Sequence, residues 1–175
     1  MPTEYATHDL RALNAMDRAT FSAALGETFE HSPWVADAAW ANRPFASVQA
    51  LHDAMMAVVH DCGRGRQIEF LRGHPELSAG AVRAGALTAD SMAEQKGAGL
   101  GALSAGEEEA LARMNKAYSL RHGFPFIVCA RHYTKTGIFA ELASRSAREP
   151  GQELAEALRQ IGFITRMRLE RRVGG

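Results

Sequence analysis

Apolar residues recur every three or four positions along most of the chain, which is the spacing of one buried face of an α-helix. Strict alternation of apolar and polar residues, which marks a half-buried strand, is rare. Helices are predicted over 17–29, 47–59, 107–118 and 152–171, and shorter ones around 33–42 and 67–72. The pattern predicts an all-α protein, a single-domain helical bundle over residues 1–175 with its core in about 17–171.

Prolines and glycines mark where several predicted helices begin and end. Ser32-Pro33 separates the first two helices, with Ser32 as the N-cap of the second, and Arg43-Pro44 closes that second helix. The sequence CGRGR at 62–66 indicates a loop.

The glycine-rich middle of the chain predicts a connection followed by one helix. Residues 76–87 are rich in Gly, Ala and Ser and are expected to be the connection. Thr88 or Asp90 then caps a helix that runs through 91–103. Glycines 97, 99 and 101 weaken that helix, and close helix packing is the preferred explanation for them, with a flexible hinge as the alternative.

A further helix ends at His122-Gly123, and the apolar run FPFIVCA at 124–130 follows it. Its composition would suit a buried strand. A lone strand cannot satisfy its backbone hydrogen bonds, so a buried loop or the start of a helix is predicted instead. Phe124 and Phe126 could be ordinary core residues or the wall of a pocket.

The charge balance narrows the classes of partner. Twenty basic and twenty acidic residues cancel, so no long-range field attracts nucleic acid or an anionic membrane, and a small, locally recognised ligand is expected. Cys62 and Cys129 have neither CxxC spacing nor the density of a disulfide scaffold, and reduced thiols are expected. With no export signal, apolar span or peroxisomal C-terminus recognised, the expected compartment is the cytoplasm.

The sequence lacks the motifs that would indicate a metal or a nucleotide cofactor. Its seven histidines include no pair at the i, i+4 or HExxH spacing that puts two imidazoles on one helical face. The stretch GAGLGAL at 97–103 follows no predicted strand, so it does not match a dinucleotide-binding fingerprint. We therefore expect no metal and no cofactor.

One set of polar residues does point to chemistry. His74-Pro75 lies at a predicted helix end, because proline biases the preceding residue away from helical angles, and there a side chain is freer to face a cleft. Ser91, Glu94 and Gln95 stand at i, i+3 and i+4, so they share one helical face. That face could equally be solvated, and His74 could merely terminate a helix.

Five blocks stand in a specific order between Phe21 and Leu169: LGETFEHSPWVADAAWANRPF, GHPELSAG, LTADSMAEQKGAGLGAL, MNKAYSLRHGFPFIVCAR, and LASR followed by ELAEALRQIGFITRMRLE. Each block alone is weakly specific. Together they resemble the 2-oxo-4-hydroxy-4-carboxy-5-ureidoimidazoline (OHCU) decarboxylase family over nearly the whole chain. The family more often has HPDL where this chain has Glu76, which keeps the acid and lengthens it by one methylene, so activity is expected to survive.

The resemblance implies a cofactor-independent carboxy-lyase of purine breakdown that converts OHCU into (S)-allantoin and CO2. It also implies functional coupling to urate oxidase and hydroxyisourate hydrolase, which produce the substrate from urate. His74 matches the family's proposed catalytic acid. The resemblance places the following residues in contact with the substrate: Pro75, Ser91, Met92, Ala93, Glu94, Gln95, Phe126, Ile127, Val128, Cys129 and Ala130.

The residue types suit this chemistry independently of the resemblance. A histidine, with an ordinary pKa of about 6.5, can hold or give a proton near neutrality, and a carboxylate partner can fix its tautomer. Glu94 is the hypothesised partner of His74. Ser91 and Gln95 offer donors and acceptors for ureido and ring amides. Arg131 or Arg145 is a candidate for binding the substrate carboxylate, and the sequence does not choose between them.

Three other classes remain as alternatives. The first is a non-catalytic ligand-binding or helical interaction module of the same fold. The second is a helical redox enzyme that pairs Cys62 with Cys129, which the sequence separation disfavours. The third is a structural protein with Trp34 and Trp40 in a dimer seam, and these residues make a homodimer the expected assembly.

Overall fold

A computed structural model describes residues 7–174 of the chain. Within this range the regular secondary structure is helical apart from one pair of two-residue strands, which confirms the all-α prediction. The α-helices are α1 (Leu10–Ala15), α2 (Arg18–Leu25), α3 (Pro33–Ala39), α4 (Val48–Asp61), α5 (Arg64–Arg72), α6 (Ala79–Ala84), α7 (Ala89–Gly97), α8 (Ala105–His122), α9 (Lys135–Ser146) and α10 (Pro150–Arg172). Short 3-10 turns cover Trp40–Asn42, Leu100–Ala102 and Ala130–His132. No helix in the described part of the chain is long and apolar enough to cross a membrane.

The contacts divide the chain into two compact units, which are described separately. The first contains the described residues up to Gly73 and those from Gly162 onward. It holds α1 to α5, the last turns of α10, and the parallel pair of two-residue strands β1 (His8–Asp9) and β2 (Val173–Gly174). Its fully buried apolar residues include Leu13, Phe21, Leu25, Phe29, Leu51, Met55 and Leu71. The single-domain organisation stays a prediction.

Two buried polar pairs attach the last turns of α10 to this first unit. Arg168 donates from Nη1 to Glu30 Oε2 at 2.6 Å, and the two side chains are 2% and 1% exposed. His52 Nε2 lies 2.9 Å from Thr165 Oγ1. Buried charges are costly unless they are paired, so each partner of the Glu30–Arg168 pair requires the other.

The two tryptophans also find partners within the first unit. Trp34 stacks edge-on against Phe70 and carries the Arg66 guanidinium 4.0 Å above its ring. The indole N–H of Trp40 donates to the Met16 carbonyl at 3.1 Å. Both side chains are half-buried, and these contacts explain their partial burial without a second subunit. The homodimer stays a prediction.

The second unit, His74–Ile161, contains α6 to α9 and the first turns of α10. A reciprocal capping box between Ser104 and Glu107 begins α8, and Gly123, at φ +83°, ends it as the sequence predicts. The apolar core is built around α8, α9 and α10, with Leu111, Tyr118, Phe126, Ile138, Leu142 and Leu158 buried.

Several predicted boundaries are wrong. The loop expected at 62–66 is confined to its start, because Gly63 makes the break at φ +84° and α5 already begins at Arg64. The connection expected over 76–87 contains α6, which Ser78 caps by accepting the Ala81 N–H. Ser32 does occupy the N-cap of α3, but without a side-chain hydrogen bond. Neither α1 nor α9 was predicted.

The predicted helix through 91–103 is also shorter than expected. Gly99 adopts φ +80°, a left-handed conformation that stops the helix, so α7 ends at Gly97 and a 3-10 turn follows. The close-packing explanation is correct for Gly101 alone, where an added Cβ would lie 3.1 Å from Val82 Cγ1. A Cβ added at Gly97 or at Gly99 would have no atom within 4 Å, so close packing does not explain these two glycines.

Candidate active site

Helix α7 carries its polar residues inward. Its four buried residues are Asp90, Ser91, Glu94 and Gln95, which are 3–7% exposed. Thr88 caps the helix by accepting the Ser91 N–H. The solvated-face explanation for Ser91, Glu94 and Gln95 is therefore wrong. Burying four polar side chains on a nine-residue helix costs free energy unless they are paired, so their partners matter.

Gln95 ties α7 to the residues that directly follow His74-Pro75. Its Oε1 accepts the Ser78 N–H at 3.1 Å, and its Nε2 donates to the Glu76 carbonyl at 3.4 Å. From α8, Asn115 Nδ2 donates to the Leu77 carbonyl at 2.9 Å. Two side-chain amides thus fix the backbone of 76–78 by contacts that do not depend on side chains in that segment.

His74 follows Gly73, the residue that ends α5, so the prediction that it lies beyond a helix end is correct. Its side chain is buried, at 6% exposure, whereas Pro75 is half-buried. Glu76 is exposed, and it is the Glu76 backbone carbonyl that Gln95 binds. The extra methylene of Glu76 is therefore accommodated at the surface.

The segment 126–130 is buried throughout, as predicted for a loop or helix start. Its backbone is irregular as far as Cys129 and enters the 3-10 turn at Ala130. Arg145, on α9, donates to the Ile127 carbonyl at 2.8 Å, and Gln160, on α10, accepts the Cys129 N–H at 2.8 Å.

The charge of Glu94 affects the ionisation of the Cys129 thiol. Burial, reinforced by the negative charge of Glu94, raises the pKa of the Cys129 thiol to about 11. Helix α7 also packs against the 3-10 turn Ala130–His132. Helix α7 thus contacts both the segment after His74 and the turn that begins at Ala130.

Two of the predicted substrate-contacting positions lie elsewhere on α7. Ala93 is exposed, about 160° around the helix from Ser91, and Met92 is half-buried. Met92 lines a separate groove of about 470 Å³ with Val82 and Lys96 among its other walls. Residues 91–95 cover more than one helical turn, so their side chains do not all lie on one face of α7.

Arg145 has a role that the sequence did not reveal. It is fully buried, donates from Nε to Glu153 Oε1 at 2.7 Å, and lies 4.6 Å from the Phe126 ring centre. Tyr118 donates its hydroxyl to the same Glu153 oxygen. This network commits the Arg145 guanidinium to protein groups and weakens the case for it as the carboxylate ligand, whereas Arg131 is exposed.

The cysteines give the redox alternative no support. Both are free thiols, and the raised pKa of Cys129 keeps that thiol protonated near neutrality, when the thiolate is the reactive form. Among the described residues, no group of three or more His, Cys, Asp or Glu side chains is arranged to hold a metal ion.

The fold and the site together define an all-helical enzyme whose candidate groups are a buried histidine, a buried glutamate and amides that order the backbone around them. The chain belongs to the OHCU decarboxylase family, whose model matches residues 14–170. The resemblance stated from sequence is thereby confirmed, and with it the assignment to the decarboxylases, a class of lyases.

Two curated relatives match over nearly their full length, and a third over about a third of its length. The 2-oxo-4-hydroxy-4-carboxy-5-ureidoimidazoline decarboxylase of Haloferax volcanii is 37% identical over 93% of this chain and 95% of its own. A putative decarboxylase of the same name from Homo sapiens is 37% identical over 92% and 93%. The uric acid degradation bifunctional protein PucL of Bacillus subtilis is 38% identical over 90% of this chain, which spans 31% of PucL.

Solved structures share the fold. A crystal structure of (S)-allantoin synthase superposes with a TM-score of 0.75 at 28% identity, over 95% of this chain and 54% of that one. A crystal structure of OHCU decarboxylase in the presence of (S)-allantoin gives a TM-score of 0.62 over 89% of this chain and 96% of that one. At 18% identity, this second likeness supports the fold alone.

Proposed function

We propose that this chain decarboxylates OHCU to (S)-allantoin and CO2 in urate degradation, with His74 as the acid–base group and Glu94 as its partner. The observation that carries the proposal is the inward-facing polar surface of α7, whose Gln95 binds the segment after His74. The same helix packs against the 3-10 turn that begins at Ala130. Membership of the OHCU decarboxylase family supplies the substrate.

The substrate itself accepts the electron pair released by decarboxylation, so the proposed reaction uses no cofactor. When the bond between the ring carbon and the carboxylate breaks, its electron pair forms a double bond to the ureido-bearing carbon. The ring nitrogen that was doubly bonded to that carbon accepts the displaced electron pair and takes up a proton. The resulting enol is protonated on the ureido-bearing carbon and loses its hydroxyl proton to become the carbonyl of allantoin. The protein then has to desolvate and orient the carboxylate and deliver the proton to one face.

The histidine and the glutamate suit these steps. His74 is buried, so its imidazole exchanges a proton with the substrate away from bulk water. Glu94 is 7% exposed, and a carboxylate buried to this degree interacts strongly with an imidazolium or a substrate hydroxyl.

Two neighbours on α7 assist in different ways. Gln95 uses one donor and one acceptor on residues 76–78, so its main part is to hold the His74 segment, with one donor and one acceptor left for the ligand. Ser91 contributes a hydroxyl on the same buried face. We propose a substrate surface built from a part of the contacts that the family resemblance implies. It consists of Ser91, Glu94, Gln95 and the backbone of 126–130, with His74-Pro75 beside it.

The proposal extends to the cellular setting. Coupling to urate oxidase and hydroxyisourate hydrolase is supported by relatives named as bifunctional uric acid degradation proteins in Bacillus species. A cytoplasmic location agrees with two free thiols. A homodimer is part of the same proposal.

A coupled optical assay tests the activity. Urate is converted by purified urate oxidase and hydroxyisourate hydrolase, and circular dichroism follows the allantoin formed with and without this protein. Spontaneous decay gives racemic allantoin, so only enzymatic protonation produces a signal. We expect a rapid signal of the (S) enantiomer; a signal no larger than the protein-free control would replace decarboxylation with the binding-module alternative.

A further inference from the structure

The segment 126–130 is held by its backbone at two points that lie two residues apart. Arg145 Nη1 donates to the Ile127 carbonyl at 2.8 Å, and Gln160 Oε1 accepts the Cys129 N–H at 2.8 Å. Arg145 is 0% exposed and Gln160 is 1% exposed. Side chains buried this completely do not follow a mobile segment, so the two contacts fix its path.

A carboxylate orients each of these two side chains. Gln160 Nε2 donates to Glu156 Oε1 at 2.7 Å, one turn earlier on α10, which turns Oε1 of the amide toward Cys129. Arg145 Nε donates to Glu153 Oε1 at 2.7 Å. The orientation of the Gln160 amide is therefore set by its neighbour, because the reverse orientation would place its oxygen against a carboxylate.

The two contacts use one group from each of the two peptides that flank the Cα of Val128. The remaining groups of these peptides are the N–H and C=O of Val128, a residue that is 5% exposed. Buried peptide groups are almost always paired with protein, water or ligand. Fixing the Ile127 carbonyl and the Cys129 N–H therefore also fixes the N–H and C=O of Val128, a donor and an acceptor in the segment expected to contact the substrate.

We infer that Gln160 is a positioning residue for the reaction, acting through Cys129, with Glu156 setting its amide and Arg145 holding the other end of the segment. This inference rests on the proposed decarboxylation. None of the three touches the substrate in this account. Their effect on turnover and stereochemistry is exerted through the backbone of 126–130.

The first test replaces Gln160 by leucine, which keeps the size of the side chain and removes the acceptor for the Cys129 N–H. We expect kcat/KM for OHCU to fall by about tenfold to a hundredfold, as small misplacements of substrate-orienting groups do. Gln152→Leu, an exposed position in the first turn of α10, is the matched control and should leave kcat/KM unchanged.

The stereochemical readout separates positioning from stability. Enzyme concentrations are adjusted so that spontaneous decay consumes the same small share of substrate in each reaction, and the enantiomeric excess of allantoin is measured. A variant that is merely less folded keeps the enantiomeric excess of the wild type, because its folded molecules are unchanged. A displaced segment gives a lower excess at matched flux.

An exchange of amide and carboxylate provides the rescue. Gln160→Glu alone places a second carboxylate against Glu156. This variant should be impaired, because two ionised carboxylates in contact repel each other. Adding Glu156→Gln rebuilds both hydrogen bonds with the groups exchanged, and we expect at least half of the wild-type enantiomeric excess to return.

The outcomes are distinguishable. An inactive wild type overturns the proposed function itself. An active wild type whose Gln160→Leu variant retains its kcat/KM and enantiomeric excess overturns the positioning role. So does a variant that loses activity only in proportion to its folded fraction, or an exchange that restores folding without restoring enantiomeric excess.

Discussion

The buried pair of Arg145 and Glu153 gives the sharpest stability prediction. Both side chains are 0% exposed, and Tyr118 donates its hydroxyl to the same carboxylate. Glu153→Gln keeps the shape but leaves the Arg145 guanidinium buried without a counter-charge. Removing one partner of a buried pair typically costs about 3–5 kcal/mol, a large part of the roughly 5–15 kcal/mol by which domains are stable.

The assay is urea unfolding followed by far-ultraviolet circular dichroism, with the free energy of unfolding extrapolated to water. Glu108→Gln is the matched control, because Glu108 pairs with Arg83 in an ion pair whose side chains are 31% and 51% exposed. Exposed pairs contribute about 0–1 kcal/mol, so this control should change little. Equal losses in the two variants, or a loss below about 1 kcal/mol for Glu153→Gln, would refute the reasoning.

Two further predictions concern Glu94 and Cys129. Glu94→Gln should lower kcat by more than it weakens binding of allantoin, as measured by steady-state kinetics and calorimetry, with the exposed Glu109→Gln as control; the reverse result would make Glu94 a binding group. Burial and the Glu94 charge raise the pKa of Cys129 from 9.0 to about 11, so the folded state favours the protonated thiol. Its contribution to stability is therefore present below pH 9 and is lost as the pH rises toward 11. The wild type should lose more stability than Cys129→Ala over that interval, and parallel losses would contradict the shift.

Much of the fold follows from local pattern. Helices such as α4, α8 and α10 have long apolar repeats, and the stop at Gly123 is a left-handed glycine that the sequence indicates directly. The errors fall where the pattern is short or ambiguous. Helix α6 spans six residues with two buried positions, Ala79 and Val82, too few to show a period. At Gly99 the sequence permits helix and left-handed turn alike, and the structure takes the turn.

The candidate site was visible only in part, for a physical reason. Spacing alone placed Ser91, Glu94 and Gln95 on one face, but spacing cannot distinguish a solvated face from a buried one, because only tertiary contacts decide burial. The hydrogen bonds that hold the backbone of segment 126–130 could not be predicted from the sequence at all. Arg145 and Gln160 act on segment 126–130 from α9 and α10, and a hydrogen bond from a side chain to a distant backbone leaves no local periodicity.

The central claim, that His74 supplies the proton that makes the product chiral, is tested most directly by His74→Asn in the coupled circular dichroism assay. His60→Asn, an exposed histidine on α4, is the control. We expect the rate of (S)-allantoin formation to fall about a hundredfold or more in His74→Asn, with the helical spectrum intact and the control unchanged. Near-normal formation of (S)-allantoin by the folded His74→Asn variant would contradict it.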